Sequence, residues 1–244
     1  MKKAYIYTVK IIIQVYFRVG LYFRILFSKN DKQIKTLKRD GILIIKNSFN
    51  KDIIHDILSV HEKVYLSQVD NGDFQMSKLS LNEDSLLMDE LKKSGALGVC
   101  KKYLGSNVIY NENHVLHLGS PAYDGEDQLQ WQPHHDAKFN RLKVYIWATP
   151  YCEKYHPLFF IKKTHLTFRV WNTHSQTRFN VQRGDMFSFR GDLGDIIIFD
   201  SHAIHAHEKH ETSPRTVINF SLNPTYRLLN FFRKSISKGK KLSL

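Results

Sequence analysis

The spacing of apolar residues changes along the chain, and the change falls near residue 107. Before it, the period is helical. Residues 4–27 are rich in Ile, Val, Tyr and Phe, interrupted by Lys10, Arg18 and Arg24. At about 100° per residue, Lys3, Lys10, Gln14, Arg18 and Arg24 gather on one face, where only Phe17 and Leu21 intrude. The remaining circumference is mostly apolar, which predicts an amphipathic helix with a broad apolar face. Residues 34–39 predict a short polar helix ending near Gly41, and 42–45 a strand. Ser48 or Asn50 caps a helix over 51–66, whose apolar positions are Ile53, Ile54, Ile57, Leu58 and Val60. A loop with Asp70, Asn71 and Gly72 follows, and then a helix pair over 82–104 that stops at Gly105.

Beyond residue 107 the runs are strand-like: 108–118, 142–149, 158–161, 167–171, 195–199 and 216–222. They are rich in β-branched and aromatic residues, and turn-forming Gly, Asp, Asn and Pro separate them. Helices first and strands afterwards predict a mainly β sandwich or barrel with flanking helices. The 244 residues suit one such domain over 31–226, with the amphipathic helix (1–30) before it and a tail (227–244) behind.

Charge sharpens this division. The net +13 is concentrated at the ends. Residues 1–40 carry ten cations against Asp31 and Asp40, and residues 227–244 carry six cations and no acid, leaving 41–226 near −1. Cations that flank a neutral domain point to an anionic surface met by the termini, and no nucleic-acid signature accompanies them. The longest cation-free run in the N-terminal helix is seven residues, against the ~18 a spanning helix shows. No small-residue cleavage site follows, so a secretory signal is a poor fit. Two readings remain for the helix. Either its apolar face packs on the domain, or it lies in the headgroup region of an anionic leaflet. Phe231, Phe232, Arg233 and Lys234 repeat the aromatic-plus-cation pattern. Cys100 and Cys152 form no paired motif, which suits a reducing, cytoplasmic setting and argues against disulfide or structural zinc frameworks.

The chemistry sits in two histidine clusters. In the extended segment Trp131-Gln132-Pro133-His134-His135-Asp136, residues two apart share a side, so His134 and Asp136 converge while His135 points away. The second cluster, His202, His205 and His207, follows the apolar run Ile196-Ile197-Ile198-Phe199-Asp200. Two histidines and a carboxylate make the facial triad of mononuclear iron(II) oxygenases, with positions left open for a bidentate co-substrate and oxygen. Spacing from Phe199-Asp200, and the ten-residue step to Arg215, favour His205 as the second histidine. Arg215 opens a strand, where a guanidinium would pair bidentately with a distal carboxylate. Lys143, Tyr145 and Trp147 share one strand face. Tyr145 and Trp147 are either contacts of the co-substrate or plain barrel core.

Over roughly residues 35–222 the chain resembles the phytanoyl-CoA dioxygenase family. Residues 34–49 resemble its helix-to-strand entry with an Asp-Gly turn, and 96–107 resemble the helix ending in Leu-Gly. His134-His135-Asp136 matches the HxD motif and 143–147 the strand after it. Gly194-Asp195 through Phe199-Asp200, followed by His205, matches the distal-histidine motif, and Arg215 matches the co-substrate arginine. The resemblance implies a double-stranded β-helix (jelly roll, cupin-like) with Fe(II) on His134, Asp136 and His205. It further implies 2-oxoglutarate as co-substrate, oxidised with O2 to succinate and carbon dioxide, and hydroxylation of an unactivated C–H bond. Two stretches depart from the pattern. His207 stands where the family often has a small hydroxyl residue, which makes His207 itself a candidate co-substrate contact. Residues 156–165 lack the family's glycines, so the substrate is not copied from relatives. The expected substrate is a lipid or lipid-linked saccharide at the inner face of a membrane, or else a soluble small molecule of secondary metabolism. Related halogenases lack the carboxylate, so Asp136 speaks against halogenation. A non-catalytic jelly-roll binding protein is the remaining alternative.

Overall fold

Nine strands among the described residues form two antiparallel sheets, with helices on the outer face of the larger one. The computed structural model describes residues 31–69, 75–105, 108–118, 133–136, 141–150, 157–167, 186–207 and 215–224. It also describes Thr8, Ile11, Ile12, Val15, Tyr16, Val19, Gly20 and Phe23. The helices are α1 (Lys32–Asp40), α2 (Lys51–Val69), α3 (Leu81–Lys93) and α4 (Ala96–Leu104). The strands are β1 (Ile42–Ile45), β2 (Gln75–Lys78), β3 (Val108–Leu118), β4 (Leu142–Trp147), β5 (Leu158–Ile161), β6 (Phe187–Phe189), β7 (Ile196–Asp200), β8 (Ile204–His207) and β9 (Arg215–Pro224). The six-stranded sheet runs β1-β7-β4-β9-β3-β2, and the three-stranded sheet runs β6-β5-β8. This is a jelly roll, mainly β with flanking helices, as the sequence predicts.

Alternation sorts each strand's residues between two cores. Val144 and Ile146 of β4, Ile196 and Ile198 of β7, and Ile218 and Phe220 of β9 face the helices, meeting Ile34, Ile54, Leu87 and Tyr103. Tyr145, Trp147, Ile197, Phe199 and Val217 face the other way and meet Leu158, Phe160 and Phe189 of the smaller sheet. Strand β7 is covered on both faces, which is why it reads as an unbroken apolar run.

Local signals set the helix ends. Asp31 caps α1 by accepting the Ile34 N–H at 3.2 Å, and Asn50, one of the two candidate caps, accepts the Asp52 N–H at 2.8 Å. Ser80 and Glu83 form a reciprocal capping box on α3. Gly41 closes α1 in the left-handed region at φ +78°, and a Cβ there would lie 2.4 Å from His165 Nδ1. Gly41→Ala therefore combines an unfavourable φ with a collision against a fully buried ring. The expected loss is about 2–4 kcal/mol, read from the shift of the urea unfolding midpoint.

Several expectations shift. Strand β4 ends at Trp147 instead of residue 149, and the chain bends at Thr149. Strand β7 covers 196–200, one residue later than predicted. Strands β2, β6 and β8 were not anticipated. Gln75–Lys78 is a polar strand at the sheet edge with no apolar alternation to betray it. At 167–171 a strand was expected, but Thr167 closes a 3-10 turn, and residues 168–171 lie outside the described residues. So do the 70–72 loop, Cys152 and the tail at 227–244.

At the N-terminus, Ile11, Ile12, Val15, Tyr16, Val19 and Phe23 are helical and share a face. Each is between 37% and 58% exposed. Among the described residues, then, these apolar side chains are exposed. No helix among the described residues is long and apolar enough to cross a membrane.

Candidate metal centre

Backbone pairing brings the two histidine clusters together. The His134 N–H donates to the His205 carbonyl and the His205 N–H returns the bond to His134, both at 2.9 Å. A residue pair that exchanges both bonds places its side chains on one side of the ladder. The two rings accordingly lie 4.5 Å apart between centroids. Two residues on, the Asp136 N–H donates to the Ser201 carbonyl at 2.9 Å. This sets Asp136 Oδ1 3.5 Å from His134 Nε2 and Oδ2 3.4 Å from His205 Nε2. One donor atom from each of the three residues falls within 4.8 Å of the others. The predicted triad is assembled.

The protonation pattern of His205 suits a ligand. Its Nδ1–H donates to the Ala203 carbonyl at 2.9 Å, which orients the ring and leaves Nε2 as the nitrogen turned to Asp136. That Nε2 is buried and makes no hydrogen bond. A polar atom hidden from water without a partner is costly unless something completes it. Two imidazole nitrogens and a carboxylate, converging from a rigid β scaffold, fit a divalent metal of the iron type. Phe199 packs edge-on against the His205 ring at 5.0 Å, and Phe160 lies on its other side at 6.2 Å, so one wall of the site is dry.

A buried lysine accompanies the triad. Lys143 opens the lumen face of β4, and its ammonium pairs with Asp136 Oδ2. Burial alone would raise the Asp136 carboxyl, but the Lys143 ammonium, and after it His205 and His134, hold it well below the usual carboxylate range. Burial likewise opposes the charge on Lys143. Asp136, with Tyr145 behind it, overcomes that and moves the ammonium above the ordinary lysine range.

A second buried carboxylate shapes the turn that carries His205. Asp200 Oδ2 accepts the Tyr103 hydroxyl of α4 at 2.7 Å, and Oδ1 accepts the His202 N–H at 2.9 Å. Its own carbonyl accepts the Ala203 N–H at 2.8 Å. Burial pushes this carboxyl up, yet His202, His165 and Tyr103 together hold it below the carboxylate range. His202 thus faces Asp200 and not the triad, and its ring stacks on His135 at 6.1 Å. Both are buried, so neither is a surface residue. The Gly194-Asp195 motif is structural as well. Asp195 accepts Asn47 N–H at 2.9 Å, Asp192 N–H at 2.9 Å and Lys46 Nζ at 2.8 Å, pinning the entry to β7.

The expected co-substrate residues are placed unevenly. Tyr145 packs edge-on against Phe199 at 5.2 Å and Trp147 against Phe189 at 5.8 Å. Both are buried in the lumen core. Arg215 is the first residue of β9, paired with Leu118 of β3 and two positions before lumen-facing Val217. His207 ends β8 opposite Leu158. The side chains of Arg215 and His207 lie outside the described residues. Sequence reasoning missed the Asp200–Tyr103 clamp and left Lys143 without a role. Alternation on β4 already put Lys143 on the face of Tyr145 and Trp147.

No protein-family model matches the chain, and no curated protein matches it. Solved structures do. SnoN, an epimerase in complex with Fe3+, alpha ketoglutarate and nogalamycin RO, superposes with a TM-score of 0.57 over 79% of this chain and 82% of its own, at 13% identity. HygX from Streptomyces hygroscopicus, with nickel and 2-oxoglutarate bound, gives 0.54 over 81% and 88%, at 15% identity. AviO1 from Streptomyces viridochromogenes Tue57 gives 0.56 over 79% and 94%, at 12% identity. At such identities the likeness establishes the shared fold.

Proposed function

We propose that this chain is an iron(II)- and 2-oxoglutarate-dependent dioxygenase that hydroxylates an unactivated C–H bond, related to the phytanoyl-CoA dioxygenase type. The observation that carries the reading is the convergence of His134, Asp136 and His205 donor atoms within 4.8 Å. Its support from outside the chain is that SnoN and HygX, which share the fold, were solved with 2-oxoglutarate and a metal. Iron bound there would supply oxygen activation coupled to decarboxylation of the 2-oxo acid. The chain's own part is to present three ligands on one face, so that the opposite positions stay open. Ala203 fixes the His205 tautomer, while Phe160 and Phe199 keep water from that side. Arg215 is assigned the far carboxylate of the co-substrate, with His207, Tyr145 and Trp147 as its further neighbours. Anaerobic addition of iron(II) and 2-oxoglutarate is expected to give a weak metal-to-ligand charge-transfer band in the visible. His134→Ala should remove it, and a variant that keeps the band would sink the assignment.

For the substrate, the neighbours from nogalamycin biosynthesis favour a soluble small molecule. One feature of this chain favours a second reading, in which the substrate is a lipid or lipid-linked saccharide at the inner face of a membrane. That feature is the outward apolar stripe from Ile11 to Phe23, in a 40-residue segment with ten cations. Such a helix adsorbs to anionic headgroups through apolar burial and charge together. Flotation with phosphatidylserine-containing liposomes distinguishes the two. The full chain is expected to float and a chain lacking residues 1–30 to stay behind. If the full chain also stays behind, the small-molecule reading stands alone.

A further inference from the structure

Lys143 carries a charge beside the metal ligands that the proposed chemistry does not use. Its ammonium meets Asp136 Oδ2, and the two side chains are only 16% and 15% exposed, so water and salt screen them weakly. The same Oδ2 lies 3.4 Å from His205 Nε2. Any dication that reaches the three donors, all within 4.8 Å of one another, therefore enters the immediate neighbourhood of an ammonium.

Charge balance then decides what the site accepts. Without metal, Asp136 and Lys143 cancel, and the pair holds the carboxylate beside both imidazoles. A divalent metal on neutral imidazoles leaves two positive charges in excess, close together and poorly solvated. Water in the open positions cannot remove that excess. A chelating 2-oxo acid brings a carboxylate onto the metal and offsets half of it, while its far carboxylate is assigned to Arg215. An uncharged residue at 143 would leave Asp136 free to offset half of the metal's charge. Lysine removes that offset.

From this we infer that Lys143 couples metal loading to anion binding: a divalent metal alone binds the triad weakly, and a dianionic 2-oxo acid and the metal bind tightly only together. The inference rests on the metal-centre reading above. Since coupling is reciprocal, the factor by which the dianion tightens the metal is the factor by which the metal tightens the dianion. The consequence is a site that resists idle metal, which in an iron centre limits oxygen chemistry without co-substrate.

Calorimetric titration of the full chain with nickel(II), with and without saturating 2-oxoglutarate, reads the coupling directly and involves no turnover. Wild type is expected to bind nickel(II) much more tightly with 2-oxoglutarate than without. Lys143→Met should bind nickel(II) alone about tenfold or more tightly than wild type, since the nearby like charge is gone. The ratio between the two conditions should shrink to match, and Lys143→Arg should keep the wild-type ratio. Should the methionine variant not fold, Lys143→Gln serves, and wild type still tests the idea. A wild type indifferent to 2-oxoglutarate overturns the coupling. So does a folded Lys143→Met variant with the wild-type ratio, or one that binds nickel(II) more weakly alone. If wild type binds no nickel(II) under either condition, and His134→Ala matches it, the metal-centre reading falls together with the inference.

Discussion

Alanine at His205 is expected to abolish the proposed iron(II) centre while leaving the jelly roll standing. His205 is one of the three proposed protein donors, so metal affinity should fall by more than the ~10–100-fold typical of losing an outer-shell partner. Turnover of 2-oxoglutarate should drop to the background. The fold survives because the exchange between His134 and His205 uses main-chain N–H and carbonyl groups, which alanine retains. The ring itself is 1% exposed and packed against Phe199 and Phe160, so its truncation should cost about 1–3 kcal/mol. Loss of the charge-transfer band with a near-wild-type near-UV circular dichroism spectrum is the expected pair of results. His202→Ala separates a ligand from a bystander. Since His202 faces Asp200, its variant should keep the band. A band lost in His202→Ala and kept in His205→Ala would move the second histidine and overturn the geometry.

The triad was legible because its parts are local. His134 and Asp136 are two residues apart in an extended segment, and the period of a strand alone aims them at one point. His205 needed a count from Phe199-Asp200 to choose it over His202 and His207. The structure supplies the reason in the bridge to His134. The start of α2 was equally readable, because Asn50 caps its own backbone, whereas the caps at Asp31 and Ser80 were not singled out. Less legible were features that depend on a partner far along the chain. The sequence offers no reason to pair Tyr103 with Asp200, since the contact spans 97 residues. Strand β2 is ordered by β3, and its own composition argues against a strand. Strand β8 was hidden for a different reason: its histidines drew a chemical reading, although its backbone pairs with β5 like any other strand. Lys143 shows the limit from the other side. Alternation gives its face, but only the position of Asp136 gives that face a meaning.

Asp200 links stability to the proposed metal site, and Asp200→Ala should damage both. The carboxylate is buried and holds Tyr103 Oη, the His202 N–H and the turn that leads to His205. Removing it breaks these bonds in a buried charged network, a loss of about 3–5 kcal/mol. The turn loosens as well, and metal affinity should fall by about 10–100-fold, as for other residues that orient a ligand from behind. Asp200→Asn divides the two effects. An amide carbonyl still accepts one hydrogen bond, so the turn and most of the metal affinity should persist while the charge is lost. The pH dependence then carries the sign. The folded-state pKa of Asp200 is depressed by His202, His165 and Tyr103 against the pull of burial. Its contribution is therefore fully present above the unfolded carboxyl value near ~4, and it fades as pH falls from there towards the folded value. Urea midpoints measured from pH 6 downward should fall more steeply below pH ~4 in wild type than in Asp200→Asn. Parallel curves would mean that the carboxylate is not held ionised by its neighbours, and the turn would then owe its shape to hydrogen bonding alone.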